Sequence, residues 1–348
     1  MRRALVILTA VGLVALGGCI GGAGLGEDSE DDEDGEDVEA DGIETDGELE
    51  IHHIDTGQAD STLLITPSGE TILIDTGDWR NDGQEVIDYL EDQDVDRIDH
   101  LVATHAHADH IGGHAAVIEH FEEHRDGVGA AYDSGVVHTS ATYDDYLDAV
   151  EEYEVRLFQV EEGDELPLEN GATEATVLNP PEGDSGDGLH YNSVALTVEF
   201  GEFSYLTTGD AEQDAEQRLV DDWSDDLEAD AYQAGHHGSS TSSTEPFLEA
   251  ADPQVAVISS AEDSQYGHPH DEVLESFADR GIETYWTGVH GHIVLTTDGE
   301  ELSVATERDA SSDPMDLLEK KDDEESASVS EPAISHPSID PVRTPVSG

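Results

Sequence analysis

One short run constrains this chain more than any other feature. Residues 104–110 read Thr-His-Ala-His-Ala-Asp-His and follow an apolar run at residues 100–104 that predicts a strand. Imidazole nitrogens and a carboxylate are the donors that Zn²⁺, Mn²⁺ or Fe²⁺ accept, and four of them on one tight turn can face one or two ions. The alternative is chance clustering in a chain with 18 histidines, but ligand-type residues rarely concentrate at a strand end without a metal. The run therefore predicts a metal site that includes His105, His107, Asp109 and His110.

The sequence around this run alternates short apolar runs with amphipathic segments. Apolar residues at period two predict strands, and apolar residues at period 3.6 predict helices. Strands are predicted at residues 48–54, 61–75 (a hairpin), 100–104, 194–200, 203–208, 231–235 and 255–259. Helices are predicted at residues 84–91, 112–122, 142–153, 211–221 and 271–280. This order favours an α/β architecture in which helices sandwich two sheets.

Further short runs stand in an order that matches a known family. Residues 74–77 read Ile-Asp-Thr-Gly, residues 206–210 read Leu-Thr-Thr-Gly-Asp, and residues 235–239 read Gly-His-His-Gly-Ser. Together with the complete HxHxDH match at residues 105–110, they make residues 48–306 resemble the metallo-β-lactamase superfamily. Within it, the chain is most similar to the soluble hydrolase domain of ComEC-type DNA-uptake proteins, by the runs at residues 192–193, 208–212, 236–239 and 266–270. The resemblance implies an α/β fold of the αββα sandwich type, with two mixed β-sheets flanked by helices.

The resemblance also implies which residues bind metal. His105 and His107 would bind a first ion, and Asp109 and His110 would bind a second. Asp210 would bridge the two, since a hard carboxylate oxygen suits a position between two dications. The expected cofactors are Zn²⁺ or Mn²⁺, one or two ions per chain.

Two ligand positions stay open in the sequence. His236 is the expected remaining ligand, and His237 competes with it because adjacent side chains point apart. The superfamily usually supplies another histidine where this chain has Asn192. His190, two residues earlier, is expected to complete the first ion's ligands, while Asn192 with water, or a single ion, are the alternatives. Asp75 is expected to orient a ligand histidine rather than to bind metal.

The chemistry expected of such a site is hydrolysis. A bound dication lowers the pKa of water toward neutrality, and two ions hold both the nucleophile and the electrophile's oxygen. Asp109 and Asp210 are the candidate groups to orient the nucleophile or accept its proton, and His268 is the candidate to protonate the leaving oxygen. A structural histidine in a Gly-Pro turn is the alternative for His268. The resemblance implies a nuclease or phosphodiesterase that acts on DNA; the alternatives are a small-ester hydrolase (phosphorylated head group, lactone or β-lactam) and a degenerate binding protein.

Charge sets the solvent in which this chain is expected to work. Its 85 acidic residues face 12 basic ones, for a formal charge of −73. Self-repulsion of this size becomes tolerable near 1 M salt, where the screening length falls to about 3 Å. The chain is therefore expected to come from a halophile. It has no basic patch, but molar salt weakens counterion-release binding of nucleic acid in any case.

The two ends of the chain are expected to lie outside the folded domain. Residues 1–19 resemble a signal peptide that ends in a lipobox, with Cys19 as the lipidated residue and Arg2 and Arg3 compatible with twin-arginine export. Residues 20–46 are an acidic linker, residues 47–307 the domain, and residues 308–348 an acidic tail expected to be disordered. The predicted location is the outer face of the cytoplasmic membrane, with a lipid anchor at Cys19.

Overall fold

The computed structural model describes residues 47–321 apart from residues 170 and 184. The predicted signal peptide, the lipobox at Cys19, the linker and residues 322–348 lie outside the described residues. Within the described part no helix has the length and apolar character needed to cross a membrane. The strands of this part are β1 (Leu49–His53), β2 (Thr62–Ile65), β3 (Thr71–Ile74), β4 (Ile98–Val102), β5 (Val128–Asp133), β6 (Leu157–Gln159), β7 (Thr173–Asn179), β8 (Ala195–Phe200), β9 (Phe203–Thr207), β10 (Ala231–Gln233), β11 (Val255–Ile258), β12 (Glu283–Trp286), β13 (Ile293–Thr297) and β14 (Leu302–Thr306).

The helices flank these strands in chain order. Local signals set their ends: the Ser140 side chain caps α3 by accepting a hydrogen bond from the Tyr143 backbone N–H, and Gly281 ends α6 in a left-handed conformation. The helices are α1 (Gln84–Asp92), α2 (His114–His124), α3 (Ala141–Glu152), α4 (Gln213–Trp223), α5 (Glu245–Ala251), α6 (Asp271–Arg280) and α7 (Thr287–His290). Short 3₁₀ segments cover Trp79–Asn81, Ser224–Asp226 and Gly235–Gly238, and residues 314–321 are also helical.

The strands form two mixed sheets. The first has eight strands in the order β14-β13-β1-β2-β3-β4-β5-β6, and the second has six in the order β12-β11-β10-β9-β8-β7. In the first sheet β3 to β6 run parallel, and in the second β9 to β12 do. The remaining neighbours are antiparallel.

Alternating side chains on each strand build the separate core layers. In β3, Ile72 and Ile74 pack in the core between the two sheets, whereas Leu73 lies in the core under α1, α2 and α3. In β9, Tyr205 faces the inter-sheet core and Leu206 lies in the core under α4, α5 and α6. The molecule is thus an αββα sandwich, and the predicted fold class is confirmed.

The structure corrects the predicted end of the ordered chain. The sequence predicted a disordered tail from residue 308, but the described chain continues to residue 321. Leu317 is 1% exposed in the core outside the second sheet, and Lys321 Nζ donates to the Pro269 carbonyl oxygen at 2.8 Å. The short apolar pair Leu317-Leu318 is too brief to show a helical period in the sequence.

The parallel strands place the candidate site. Asp75 follows β3, residues 104–110 follow β4, Asp210 follows β9 and residues 235–238 follow β10. The carboxyl ends of parallel strands meet at one edge of a sheet, and the two sheets pack face to face. Predicted ligands that lie far apart in the sequence therefore converge at one end of the sandwich.

Candidate metal centre

Hydrogen bonds to Asp75 hold the start of the loop that follows β4. The backbone N–H of Thr104 donates to Asp75 Oδ1 at 2.8 Å, and its hydroxyl donates to Oδ2 at 2.6 Å. On the other side, the Asp60 N–H donates to the carbonyl oxygen of Asp109 at 3.1 Å. Both ends of the ligand run are therefore fixed by groups outside it, which restricts where its imidazoles can point.

A first group of donors joins the loop to the second sheet. His105, His107, His190 and Asp210 offer atoms that all lie within 4.8 Å of one another. His105 Nε2 is 2.8 Å from His107 Nδ1 and 3.4 Å from Asp210 Oδ2, and His190 Nε2 is 3.3 Å from His107 Nδ1. Three imidazoles and one carboxylate are a donor set that suits Zn²⁺ or Mn²⁺.

Burial prepares these imidazoles to act as neutral ligands. Burial and the nearby His110 lower the pKa of His105 to about 4, and burial and His190 lower the pKa of His107 to about 4. Neutral imidazole is the form that coordinates metal. At neutral pH both side chains are therefore in the form that accepts a cation.

A second group shares Asp210 with the first. His110 Nε2 lies 3.2 Å from Asp210 Oδ1, and His237 Nε2 lies 3.8 Å from the same oxygen. Asp109 Oδ2 lies 3.4 Å from His237 Nε2. The two oxygens of Asp210 thus face different groups, Oδ2 the first and Oδ1 the second.

Asp60 belongs to the surroundings of this second group and contacts the outer edges of its rings. Its Oδ2 lies 3.9 Å from His110 Nδ1 and 3.6 Å from His237 Nδ1. By distance alone Asp60 is also a possible metal ligand, together with His110, Asp210 and His237. The Nε2 atoms of the same rings face Asp109 and Asp210. Asp60 is therefore placed to orient the imidazoles and to balance their charge, while Asp109 stands on the ligand side.

The buried polar atoms of this group test whether a cation fits. Nε2 of His110, Nε2 of His237 and Oδ1 of Asp210 are buried and have no hydrogen-bond partner among the described residues. His110 Nδ1 bonds Asp75 at 2.7 Å and His237 Nδ1 bonds the Ser259 carbonyl oxygen at 3.0 Å, so Nε2 is the atom of each ring that would give up its proton to a bound cation. Buried groups without partners are costly unless something binds them. A divalent cation fits this cluster.

The electrostatics of the cluster are those of tightly coupled opposite charges. Burial lowers the pKa of His110, but the carboxylates of Asp210 and Asp75 outweigh it and raise that pKa well above 6.5. Burial raises the pKa of Asp210, but His110, His105 and His237 hold it well below 3.8. The carboxyl group of Asp210 is therefore an anion at neutral pH, the form in which a carboxylate can accept a cation.

A third group of donors lies at the outer edge of the candidate centre. His190, Glu212 and His236 offer donors within 4.8 Å of one another. Glu212 Oε1 lies 3.2 Å from His190 Nδ1 and 3.4 Å from His236 Nδ1, and His236 Nε2 lies 3.6 Å from Asp210 Oδ2. His236, the ligand that the sequence favoured over its neighbour, thus lies beside Glu212, whereas His237 lies in the second group.

The side chain of Asn192 forms its hydrogen bonds within its own loop. Its side-chain amide donates to the Gly188 carbonyl oxygen at 2.9 Å, and its Oδ1 accepts a short hydrogen bond from Ser185. It is fully buried, and both polar atoms of its side chain are engaged in these hydrogen bonds. His190 supplies the imidazole that stands near the first group in its place.

His268 lies next to the third group but is not a member of any of the three groups. Its Nδ1 accepts a hydrogen bond from the Gln58 side-chain amide at 3.3 Å, and its ring centroid lies 5.8 Å from that of His236. Burial and the neighbouring His237 lower its pKa to about 4. His268, the predicted proton donor, thus lies beside His236, and its lowered pKa makes the ring neutral at neutral pH.

Sequence reasoning missed two carboxylates of the site. Asp60 comes from the connection between β1 and β2, where two aspartates separated by Thr, Gly, Gln and Ala carry no ligand pattern. Glu212 lies two residues after Asp210 in the run that carried the family resemblance, so the signal for it was present but no role was assigned. His237 was considered and placed second to His236.

Comparisons with known proteins agree with this geometry. The family described as "Metallo-beta-lactamase superfamily" matches residues 54–262. The chain is 30% identical to "ComE operon protein 3" of Bacillus subtilis over 72% of this chain and 33% of that protein. It is also 30% identical to "Competence protein ComA" of Neisseria gonorrhoeae, over 68% of this chain and 30% of that protein. The chain thus spans about a third of the length of the curated relatives it matches.

Two solved structures align with this chain at low identity. The metallo-beta-lactamase fold protein YhfI from Bacillus subtilis aligns with a TM-score of 0.47 and 11% identity, over 68% of this chain and 95% of that one. The β-hydroxylase CmlA from Streptomyces venezuelae, described as a diiron protein, aligns with a TM-score of 0.47 and 17% identity, over 72% of this chain and 54% of that one.

Proposed function

The chain belongs to the metallo-β-lactamase superfamily, and we propose that it is a metal-dependent hydrolase that cleaves phosphodiesters, with DNA as the polymer. One observation supports this most directly: the buried carboxylate of Asp210 presents one oxygen to each of two donor groups. A shared carboxylate holds two cations close together, which is the arrangement of two-metal phosphodiester hydrolysis.

We assign the ligands from the atoms that face one another. The first ion takes His105, His107, His190 and Asp210. The second takes the other oxygen of Asp210 with three further donors, and we choose these because their Nε2 or Oδ2 atoms face the shared carboxylate: Asp109, His110 and His237. Nitrogen and oxygen donors of this kind suit Zn²⁺ and Mn²⁺.

Divalent ions in such a site supply water with a pKa near neutrality and polarise the phosphoryl oxygens. The chain's own residues would then position the ligand imidazoles and orient the attacking water. Asp75 and Ser259 keep the Nδ1 protons of His110 and His237 on their outer edges. Asp109 is half-exposed at the edge of the group and faces both solvent and His237, so it is the carboxylate placed to orient an attacking water. Burial raises its pKa, but His237 and His110 outweigh this and hold that pKa well below 3.8, so it is a weak proton acceptor.

His268 acts as a hydrogen-bond donor in this proposal. Since its Nδ1 accepts from Gln58, its proton is on Nε2. With a pKa of about 4 the ring is neutral at pH 7. We therefore expect it to donate an N–H bond to the leaving oxygen and to add less to the rate than a cationic acid would.

DNA as substrate rests on the relatives. One of them is named a competence protein, and the sequence resembles the hydrolase domain of ComEC-type DNA-uptake proteins. The relatives are about three times as long as the matching region, so their activities come to this chain only as a proposal. We further propose that the protein is exported and lipid-anchored at Cys19; a Cys19→Ser variant is then expected in the medium instead of the membrane fraction.

The experiment is a cleavage assay on protein purified in high salt and loaded with Mn²⁺ or Zn²⁺. Linear DNA is offered to the wild type and to His107→Ala, with His124→Ala, an exposed histidine at the end of α2, as the matched control. We expect about two ions per chain and DNA cleavage in the wild type and the control, and at least a 100-fold loss in His107→Ala, the order found when one preorganised electrostatic group is removed. Inertness toward DNA with full metal content would overturn the nuclease proposal and leave a small-ester substrate.

A further inference from the structure

Exposed apolar side chains gather around the metal centre. Among the described residues the exposed large hydrophobic side chains are Trp79 (55%), Val137 (74%), Tyr266 (59%) and Met315 (47%). The first three are on loops that contact the centre, and we call them the apolar rim. On a surface with so many carboxylates, three exposed apolar side chains on separate loops that border one site offer contacts to a ligand.

The loop of Trp79 packs directly on the ligand run. The Trp79 N–H donates to the carbonyl oxygen of Ala108, the residue between His107 and Asp109, at 3.1 Å. A Cβ on Gly112 would lie 2.1 Å from the Trp79 nitrogen, so only glycine allows this approach. The indole is therefore exposed on a rigid backbone whose position is set by the metal loop.

The other two rim residues reach the centre through neighbouring histidines. The Tyr266 ring lies 5.7 Å from the His268 ring at an angle of 32°, and His268 stacks at 6.2 Å with His237. Val137 precedes His138, whose ring lies 6.2 Å from that of His107. Trp79 and Tyr266 are thus aromatic rings on two separate loops that abut the same centre.

A cation accompanies Trp79. The guanidinium of Arg80 lies 5.4 Å from the centre of the indole ring, and 63% of its side chain is exposed while it pairs with Asp78. This is one of 12 basic residues in 348. An aromatic ring beside an arginine is the usual contact of proteins with the bases and backbone of single-stranded nucleic acid.

The salt concentration determines whether charge or base stacking can provide affinity for nucleic acid. The chain carries a net charge of −73 and repels a polyanion. In molar salt the counterion-release gain is small, whereas stacking of a base on an aromatic ring is not screened. Affinity for nucleic acid must therefore come from the metal ions and from ring faces.

We propose that the apolar rim binds the bases of single-stranded nucleic acid, with Trp79 and Tyr266 as stacking faces and Arg80 as a phosphate contact. This inference rests on the proposed function, because it names the substrate class of that metal centre. A duplex hides the faces of its bases, so single strands are the substrates that the rim can hold.

Binding is tested with ligands that differ only in their bases. Trp286 is fully buried and Trp223 half-buried, so quenching of tryptophan fluorescence by a ligand reports mainly on Trp79. Metal-loaded protein is mixed by stopped flow with a ten-residue oligothymidylate or with an abasic strand of the same length and charge. We expect quenching by the first, and little by the second, in 1 M and in 3 M NaCl. Equal quenching by both strands would overturn the proposal.

The kinetic test separates this inference from the proposed function. For Trp79→Ala we expect KM for oligothymidylate to rise about 10-fold at nearly constant kcat, since one stacked base is worth about 1–3 kcal/mol. Cleavage of the abasic strand is expected to stay unchanged, Trp79→Phe to recover most of the affinity, and Met315→Ala to behave as the wild type. Oligouridylate and duplex arms distinguish RNA and paired DNA, and a duplex bound as tightly as the single strand would contradict the proposal. If neither strand is cut but the base-dependent quenching remains, the proposed function fails and the rim assignment stands.

Discussion

The Oδ2 atom of Asp75 lies 2.7 Å from Nδ1 of His110, and this contact turns the Nε2 lone pair of His110 toward Asp210. Outer carboxylates of this kind fix the tautomer of a ligand histidine, and their loss weakens metal binding about 10- to 100-fold. We expect Asp75→Asn to weaken binding of the second ion within that range, as measured by competition with a chromogenic chelator. Binding of the first ion should weaken less, because Asp75 acts on it only through Thr104, the neighbour of His105. Asp88→Asn, on the exposed face of α1, is the control; equal affinities in all three proteins would contradict the role of Asp75.

Adjacent histidines allow a direct test of the second ligand group. His237 has its Nε2 against Asp109 and Asp210, whereas His236 contacts Glu212 at the rim. We expect His237→Ala to lower the metal content of dialysed protein from two ions per chain to about one, and His236→Ala to leave it near two. Elemental analysis checks both, and the reverse pattern would make His236 the ligand.

These two histidines also show what the sequence could and could not predict. The HxHxDH run was recognisable because ligand-type residues follow an apolar strand, and Asp210 was recognisable through the resemblance to the metallo-β-lactamase superfamily. The choice between His236 and His237 depends on backbone torsions: both have positive φ, 51° and 57°, a left-handed conformation that non-glycine residues rarely adopt. No sequence pattern specifies two such residues in succession, so which ring enters the site was not readable.

Asp60 and the C-terminal helix were missed for a different reason. Each depends on a contact distant in sequence, Asp60 with His110 and His237, and Leu317 with the core outside the second sheet. Composition suggested a disordered tail because Ser, Pro, Asp and Glu are abundant in it and apolar residues are few, yet Leu317 packs in the core. Long-range contacts of single residues leave no local periodicity to detect.

The docked segment at residues 314–321 should contribute to stability. Leu317 is 1% exposed, and replacing a buried leucine with alanine costs about 2–5 kcal/mol. We expect Leu317→Ala to lower the free energy of unfolding by an amount in that range, measured by urea titration at constant high salt. Met315→Ala, two residues away and exposed, should change it by less than about 0.5 kcal/mol. A Leu317→Ala variant as stable as the wild type would mean that this segment does not pack on the domain.

Asp133, at the end of β5, should make stability depend on pH. Burial raises the pKa of its carboxyl group to about 6, although the Gly135 N–H that donates to Oδ1 at 2.8 Å opposes the shift. The folded pKa lies above the ordinary 3.8, so the fold gains from the protonated form below pH 4 and loses that gain as pH rises through 6. The difference between the folded pKa of about 6 and the ordinary 3.8 corresponds to about 3 kcal/mol in the free energy of unfolding.

Asparagine keeps the acceptor for Gly135 but carries no charge to desolvate. We therefore expect Asp133→Asn to exceed the wild type in free energy of unfolding by about 3 kcal/mol at pH 8 and to match it within about 0.5 kcal/mol at pH 4. Urea titrations in chelator and constant high salt keep metal binding out of the comparison, and Asp145→Asn, on the exposed face of α3, serves as the matched control. The same difference at both pH values would show that packing, and not the charge of a buried carboxylate, separates the two proteins.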